Sequence, residues 1–282
     1  MGDSSSILIQ TLPAFVINLD RRPDRWKGFQ SQPSYTQFTN IQRYSAFDGK
    51  MHDWIHDDNI SVHTKENIHN NYRRSHYEIN TVGAIGATYS HVGIWKKFLE
   101  SGEPYCLVFE DDTVIHPEEI TKINFLLKSI PHGWNLFLLG HHNWMMKSTP
   151  IDNRNEKGGW YNVQSFTGAH AYIISREAAQ KLVEKPFPIE THIEFYISAC
   201  ARQKLFNIVR YEGLRVGYGS EDADENDSDT FDNAKSCPVC YVPDDLPKQG
   251  FYMSYEKMAR MMVGISAFAF VYYGWIKGQG KV

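Results

Sequence analysis

Between Tyr105 and Asp112 the chain reads Tyr-Cys-Leu-Val-Phe-Glu-Asp-Asp, an apolar run without polar alternation that ends in three successive carboxylates. A strand of that kind is buried on both faces, as in a parallel sheet covered by helices. Ligand sites in open α/β sheets lie at the carboxyl ends of such strands, which is where Glu110, Asp111 and Asp112 fall. Acids held ~4 Å apart at an effective dielectric of ~20 repel by ~4 kcal/mol per pair. They must therefore reach water or share a proton or a divalent cation. A hard cation held by a few carboxylates, with its remaining positions left to phosphate oxygens, is the usual magnesium or manganese arrangement, and it points to a phosphate-bearing substrate. The plain alternative is an acidic loop entering a helix, because Pro117-Glu118-Glu119 is a good helix start.

The rest of the chain alternates strand and helix. Ala14 to Leu19 reads as a first strand, and Asp20 with an early Pro23 opens a helix. Arg43 to Phe47 is a short second strand closed by the turn pair Asp48-Gly49. Residues 50 to 80 are polar and aperiodic, which predicts a long loop. Gly83 to Leu99 carries Ile85, Tyr89, Val92, Trp95 and Leu99 at helical spacing, and Pro117 to Ile130 does the same with Ile120, Ile123 and Leu127. A second buried strand runs from Trp134 to Leu139, followed by a loop over 141 to 160 that starts with His141 and His142. Ala171 to Ile174 is a strand, Ser175 caps a helix to about Lys185, a further helix spans Ile189 to Lys204, and Leu205 to Tyr211 is a last strand. This order predicts an α/β fold with a mostly parallel, mixed sheet.

A net charge of -4 over 282 residues leaves no electrostatic footprint for nucleic acid. Of the four cysteines, Cys106 and Cys200 read as small core residues. Cys237-Pro-Val-Cys240 has knuckle spacing but lacks the second pair that a zinc site needs. Residues 221 to 250 read as an acidic linker, and residues 251 to 282 as an apolar helix. Within the latter, Met261 to Ile276 holds no charge. As a helix it would reach ~24 Å against a hydrocarbon core of ~30 Å, so it is a candidate membrane anchor or a helix packed on the core. The first reading sets the protein at the cytoplasmic face of a membrane, the second in the cytoplasm.

Five segments taken in order carry a resemblance. They are Phe15 to Arg25; Ser45-Ala46-Phe47-Asp48-Gly49; Gly83 to His91; the strand closing on Glu110-Asp111-Asp112; and Gly168 to Ser175 followed by Ile193-Glu194. Together they resemble glycosyltransferase family 25, the group of lipooligosaccharide and procollagen galactosyltransferases. The likeness covers residues 13 to 220, after a short lead of residues 1 to 12. It implies a GT-A-like, Rossmann-type nucleotide-diphospho-sugar transferase fold, a UDP-sugar donor, Mn²⁺ (or Mg²⁺) and inversion at the anomeric carbon. It also implies that Glu110, Asp111 and Asp112 serve the metal, with Asp112 the direct ligand. Asn18, Leu19 and Arg25, together with Asp48, Gly49, Ser90 and His91, fall on the donor side. This chain departs from the family pattern in having Glu194 where Asp is usual and His170 where relatives have a small residue.

Transfer of a hexose from such a donor needs a cation that offsets charge on the departing diphosphate. It also needs a base for the acceptor hydroxyl. Arg21 or Arg25 could add a charge-assisted contact to phosphate, or simply be a solvated helix start. Glu194 is the candidate base. Glu190 lies four residues before it, on the same face of the expected helix, although an exposed acidic face would show the same spacing. His91 could be a core histidine or a donor contact. The sequence thus favours moving galactose or glucose from a UDP-sugar to a glycan, lipid-linked or protein hydroxyl. A nucleotide-sugar or pyrophosphate hydrolase, and an inactive membrane-attached scaffold of the same fold, are the competing readings.

Overall fold

The structure is a computed structural model that describes residues 7–151, 158–214, 216–218 and 230. The chain divides into two units, residues 1–239 and 240–282, and every described residue belongs to the first. The Cys237-Cys240 pair, the apolar segment Met261 to Ile276 and nearly all of the acidic linker lie outside the described residues.

One six-stranded sheet organises this unit. Its strands are β1 (Ala14–Asn18), β2 (Ile41–Ser45), β3 (Tyr105–Glu110), β5 (Leu136–Pro150), β6 (Trp160–Ser175) and β7 (Ile208–Tyr211), in the order β2-β1-β3-β6-β5-β7. The pairs β1–β2, β1–β3 and β5–β7 are parallel, while β6 runs antiparallel to its neighbours β3, β5 and β7. Five strands therefore share a direction and one opposes them, the mostly parallel mixed sheet expected. A small ribbon pairs β4 (Thr113–Val114) with β8 (Gly217–Tyr218).

The missing alternation in β3 has a direct cause. Leu107 and Phe109 enter a core shared with Phe29 of α1 (Pro23–Gln30) and with Ile120, Ile123, Leu126 and Leu127 of α4 (Pro117–Leu127). Cys106 and Val108 face the other way, toward Val92, Ile94, Trp95 and Phe98 of α3 (Val82–Glu100). The same core takes in Ala178, Ala179 and Leu182 of α5 (Arg176–Glu184) and Ile193, Ile197 and Cys200 of α6 (Ile193–Arg202). Helices on both faces make every strand position a core position, each large apolar side chain contributing ~1.5–3 kcal/mol. Cys106 and Cys200 are both free and buried, as core residues.

Several boundaries differ from the sequence expectation. Residues 50 to 80 contain a helix, α2 (Val62–His69), whose N-cap Ser61 accepts from the Thr64 amide at 3.1 Å. It shows no apolar stripe, and Val62 is exposed, so periodicity could not find it. Residues 141 to 160 are not a loop at their ends, since β5 continues to Pro150 and β6 begins at Trp160. α1 is entered through Arg22 without a side-chain cap, so Asp20 does not cap it, although Pro23 stands in the first turn as expected. α6 starts at Ile193 rather than Ile189, because Ile189 is bridged to Ile60 and Thr191 to Glu78 in extended geometry.

Candidate active site

Because β1, β2 and β3 are parallel, their carboxyl ends adjoin, and a pocket opens there. Ile17 lines it from β1, Leu19 from just after that strand, Ala46 to Gly49 from the segment after β2, and Gly83, Gly86, Ala87, Ser90 and His91 from α3. Glu110, Asp111 and Asp112 line it from the end of β3, and Arg21, Arg25 and Thr230 complete it. Most of the donor-side and acidic residues expected from the sequence are thus brought into one cavity.

The wall between β2 and α3 depends on close backbone approach. A Cβ on Gly49 would collide with the carbonyl oxygen of Val82, and one on Gly86 with that of Phe47. The Ser90 hydroxyl accepts from the Phe47 amide at 2.9 Å and donates to the Gly86 carbonyl at 2.7 Å, so Ser90 fastens the wall. Asp48 accepts from the Lys50 amide at 3.0 Å and from Arg21 Nε at 2.7 Å.

Each of the three acids has its own surroundings. Asp111 accepts from Asn18 Nδ2 at 2.6 Å and from Arg25 Nη1 at 3.2 Å. Asn18 is itself buried and is absent from the pocket lining; it also donates to the Arg22 carbonyl and accepts from Arg43 Nε at 2.6 Å. It serves as a clamp on Asp111, and Arg43 behind it carried no signal in the sequence. Glu110 Oε1 lies 3.4 Å from His91 Nε2. Asp112 Oδ2 is 3.6 Å from Arg25 Nη1, while its Oδ1 is buried with no hydrogen-bond partner among the described residues.

Electrostatics follow from this arrangement. Burial pushes the Asp112 carboxyl up to about 7, Glu110 and Asp111 add to the rise, and Arg25 opposes it. Burial also raises Asp111, against the Asn18 and Arg25 contacts. Glu110 goes the other way, since the His91 hydrogen bond and the neighbouring histidines outweigh its burial. Asp111 and Asp112 together hold the Arg25 guanidinium charged in spite of burial.

Among the described residues, no three His, Cys, Asp or Glu side chains converge as a ligand set for a metal ion. A closed cage of the zinc type is therefore not present among them. The unpartnered lone pairs of the buried Asp112 Oδ1, beside Glu110 and Asp111, do fit a hard cation that takes its other oxygens from phosphate and water.

Glu194 stands in the first turn of α6. Burial and the charge of Glu110 push its carboxyl up to about 7, against hydrogen bonds from its own amide and that of Gly168. Glu190 is exposed and precedes the helix, so the shared helical face expected for Glu190 and Glu194 does not exist. Two histidines join this side. A Cβ on Gly140 would strike the His170 ring and one on Gly168 the His142 ring, so these two strand glycines make room for the pair. Their rings sit 5.6 Å apart, and burial lowers His142 and brings His170 to about 4. His141 also lies in β5, lowered by burial, and donates to or accepts from nothing on the acidic turn.

An α/β sheet with an acidic, arginine-flanked pocket at its parallel strand ends belongs, by its sequence relations, to the glycosyltransferase class. The model described as "Glycosyltransferase family 25 (LPS biosynthesis protein)" matches residues 11–197. The chain belongs to glycosyltransferase family 25. It is similar to procollagen galactosyltransferase 2 of Homo sapiens, with 28% identity over 60% of this chain and 27% of that protein. It is also similar to a glycosyltransferase 25 family member of Aedes aegypti, with 24% identity over 65% of this chain and 30% of that protein. The chain thus spans about a third or less of the length of these relatives. A solved structure of apo UDP-glucose pyrophosphorylase aligns with a TM-score of 0.35 and 10% identity, covering 73% of each chain, too distant to argue from.

Proposed function

We propose that this protein is a metal-dependent hexosyltransferase that moves galactose or glucose from a UDP-sugar to a hydroxyl acceptor with inversion. The observation that carries the reading is the acidic turn after β3, whose Asp112 offers a buried, unpartnered oxygen to a pocket flanked by Arg21 and Arg25. Family membership and the name of the human relative support galactose as the sugar.

Asp112 would hold Mn²⁺ or Mg²⁺, with Asp111 or Glu110 behind it. When bound, that cation supplies Lewis-acid compensation for the charge on the departing diphosphate. Arg25, already fixed by Asp111 and Asp112, adds positive charge at the same end of the pocket, and Arg21 does so from its pairing with Asp48. Gly49 and Gly86 let the backbone of the wall close on α3, where the Ser90 hydroxyl fastens it. Glu194 takes the proton of the acceptor hydroxyl as the oxygen attacks, a role suited to a carboxyl that titrates near neutrality. A glycan, a lipid-linked sugar or a protein hydroxyl would each satisfy this chemistry.

The test is UDP release by the purified full chain against a panel of UDP-sugars with Mn²⁺, with and without candidate acceptors. Acceptor-dependent release from UDP-galactose or UDP-glucose is expected. Free sugar formed at full rate whatever acceptor is added would make the protein a hydrolase, and no turnover or UDP binding would make it a scaffold.

A further inference from the structure

Behind the acidic turn lies a buried polar chain that the reading above does not use. Trp95 and His91 are four residues apart on α3 and so share one face, which lies against the sheet. Trp95 Nε1 donates to the Tyr172 hydroxyl at 3.0 Å. That hydroxyl is 2.9 Å from His91 Nδ1, and the other ring nitrogen, Nε2, is 3.4 Å from Glu110 Oε1. Trp95, His91 and Tyr172 are 0%, 0% and 1% exposed, so bulk solvent does not reach them.

The direction of each bond follows from counting hydrogens. An indole N–H only donates, so Trp95 uses one lone pair of the Tyr172 oxygen. The phenol has a single hydrogen, and His91 Nδ1 is its remaining partner in reach among the described residues. Were Nδ1 protonated, the phenolic hydrogen would be stranded in the core, at a cost of ~1–3 kcal/mol. Tyr172 therefore donates to Nδ1, which leaves the ring hydrogen on Nε2, facing Glu110. The register agrees, since Tyr172 pairs with Val108, two residues before Glu110 on β3.

We propose that Tyr172 and His91 are positioning residues for Glu110. The Trp95–Tyr172 pair locks His91 in the Nε2–H tautomer, and that hydrogen holds one Glu110 oxygen so that the carboxylate meets the pocket in one orientation. The 3.4 Å link is the long one in the chain and is the contact expected to tighten when donor binds. This proposal rests on the transferase reading for its kinetic consequence only.

Long-range ¹H–¹⁵N correlation on the full chain reads the tautomer without turnover, with His91→Gln used to assign the ring. Wild type should show His91 protonated at Nε2, and Tyr172→Phe, which keeps the ring packing, should lose that single tautomer. Turnover of Tyr172→Phe should fall ~10–100-fold in kcat, with the donor KM changed less. In a His91→Gln background the ring whose tautomer Tyr172 sets is gone, so adding Tyr172→Phe should cost far less in kcat than it does in wild type. An Nδ1–H tautomer in wild type overturns the proposal, as does a Tyr172→Phe variant with unchanged tautomer and kcat. If wild type turns over no UDP-sugar, the function assigned above fails, while the tautomer still decides this proposal.

Discussion

Asp112 and Glu194 titrate near neutrality for related reasons, burial and the negative charge of Glu110. Both carboxyls are raised from ordinary values of 3.8 and 4.5 to about 7, so in that window the folded state binds more protons than the unfolded one. Their contribution to stability is full below the unfolded values and is lost as pH rises toward about 7. Asp112→Asn and Glu194→Gln should therefore melt higher than wild type at alkaline pH in a chelator, and the gain should vanish in acid. Thermal melts on either side of the window check this, and an alkaline loss of stability in both variants would contradict the placement of these groups. In catalysis the sign reverses, because a base must be ionised: kcat/KM should rise with pH through about 7 and Glu194→Gln should abolish the rise. A profile unchanged by that substitution would remove Glu194 as the base. At this scale the sequence pointed to most of the residues that line the pocket but not to how they share work. Asn18 and Ser90 look like ligand contacts in one dimension, yet their polar atoms are taken up by Asp111, Arg43, Phe47 and Gly86.

Among the elements, the wall between β2 and α3 is the most sensitive to change. Gly86→Ala would drive a methyl against the carbonyl of Phe47, a residue of the pocket lining. A loss of ~1–3 kcal/mol is expected from such overpacking, read by urea denaturation, together with a raised donor KM. Wild-type stability and KM would show that the close approach is dispensable. The elements legible in the sequence were those with a single strong pattern. α3 has a long apolar face, β3 an unbroken apolar run, and Ser175 caps α5 as expected, accepting from the Ala178 amide at 3.2 Å. The extension of β5 and β6 was hidden because their pairing shifts register repeatedly between Leu138 and Ser148, which breaks the two-residue rhythm. The start of α6 was hidden because Ile189 and Thr191 are held by distant partners, Ile60 and Glu78.

At the scale of the molecule, a sheet with five strands in one direction gathers three carboxyl ends at one edge of the pocket, and the strand that ends in acids sits between two others. That much was contained in an eight-residue stretch, since burial on both faces and acids at the exit are consequences of the same topology. The acceptor was not legible, because the segments that would form its site carry no periodic signal. Membrane contact through residues 261 to 276 remains a proposal that deletion of residues 258 to 282 would test, a membrane-pelleted protein becoming soluble and active. The account as a whole turns on whether the acidic turn takes up a divalent ion together with a diphosphate. Calorimetry of UDP with the full chain, in Mn²⁺ and in chelator, measures this directly for wild type and Asp112→Asn. Binding of UDP that requires Mn²⁺ and falls ~10²-fold or more in Asp112→Asn, with the fold intact, is the predicted result. Equal UDP affinity in chelator, or undiminished Mn²⁺-dependent binding by Asp112→Asn, would contradict it.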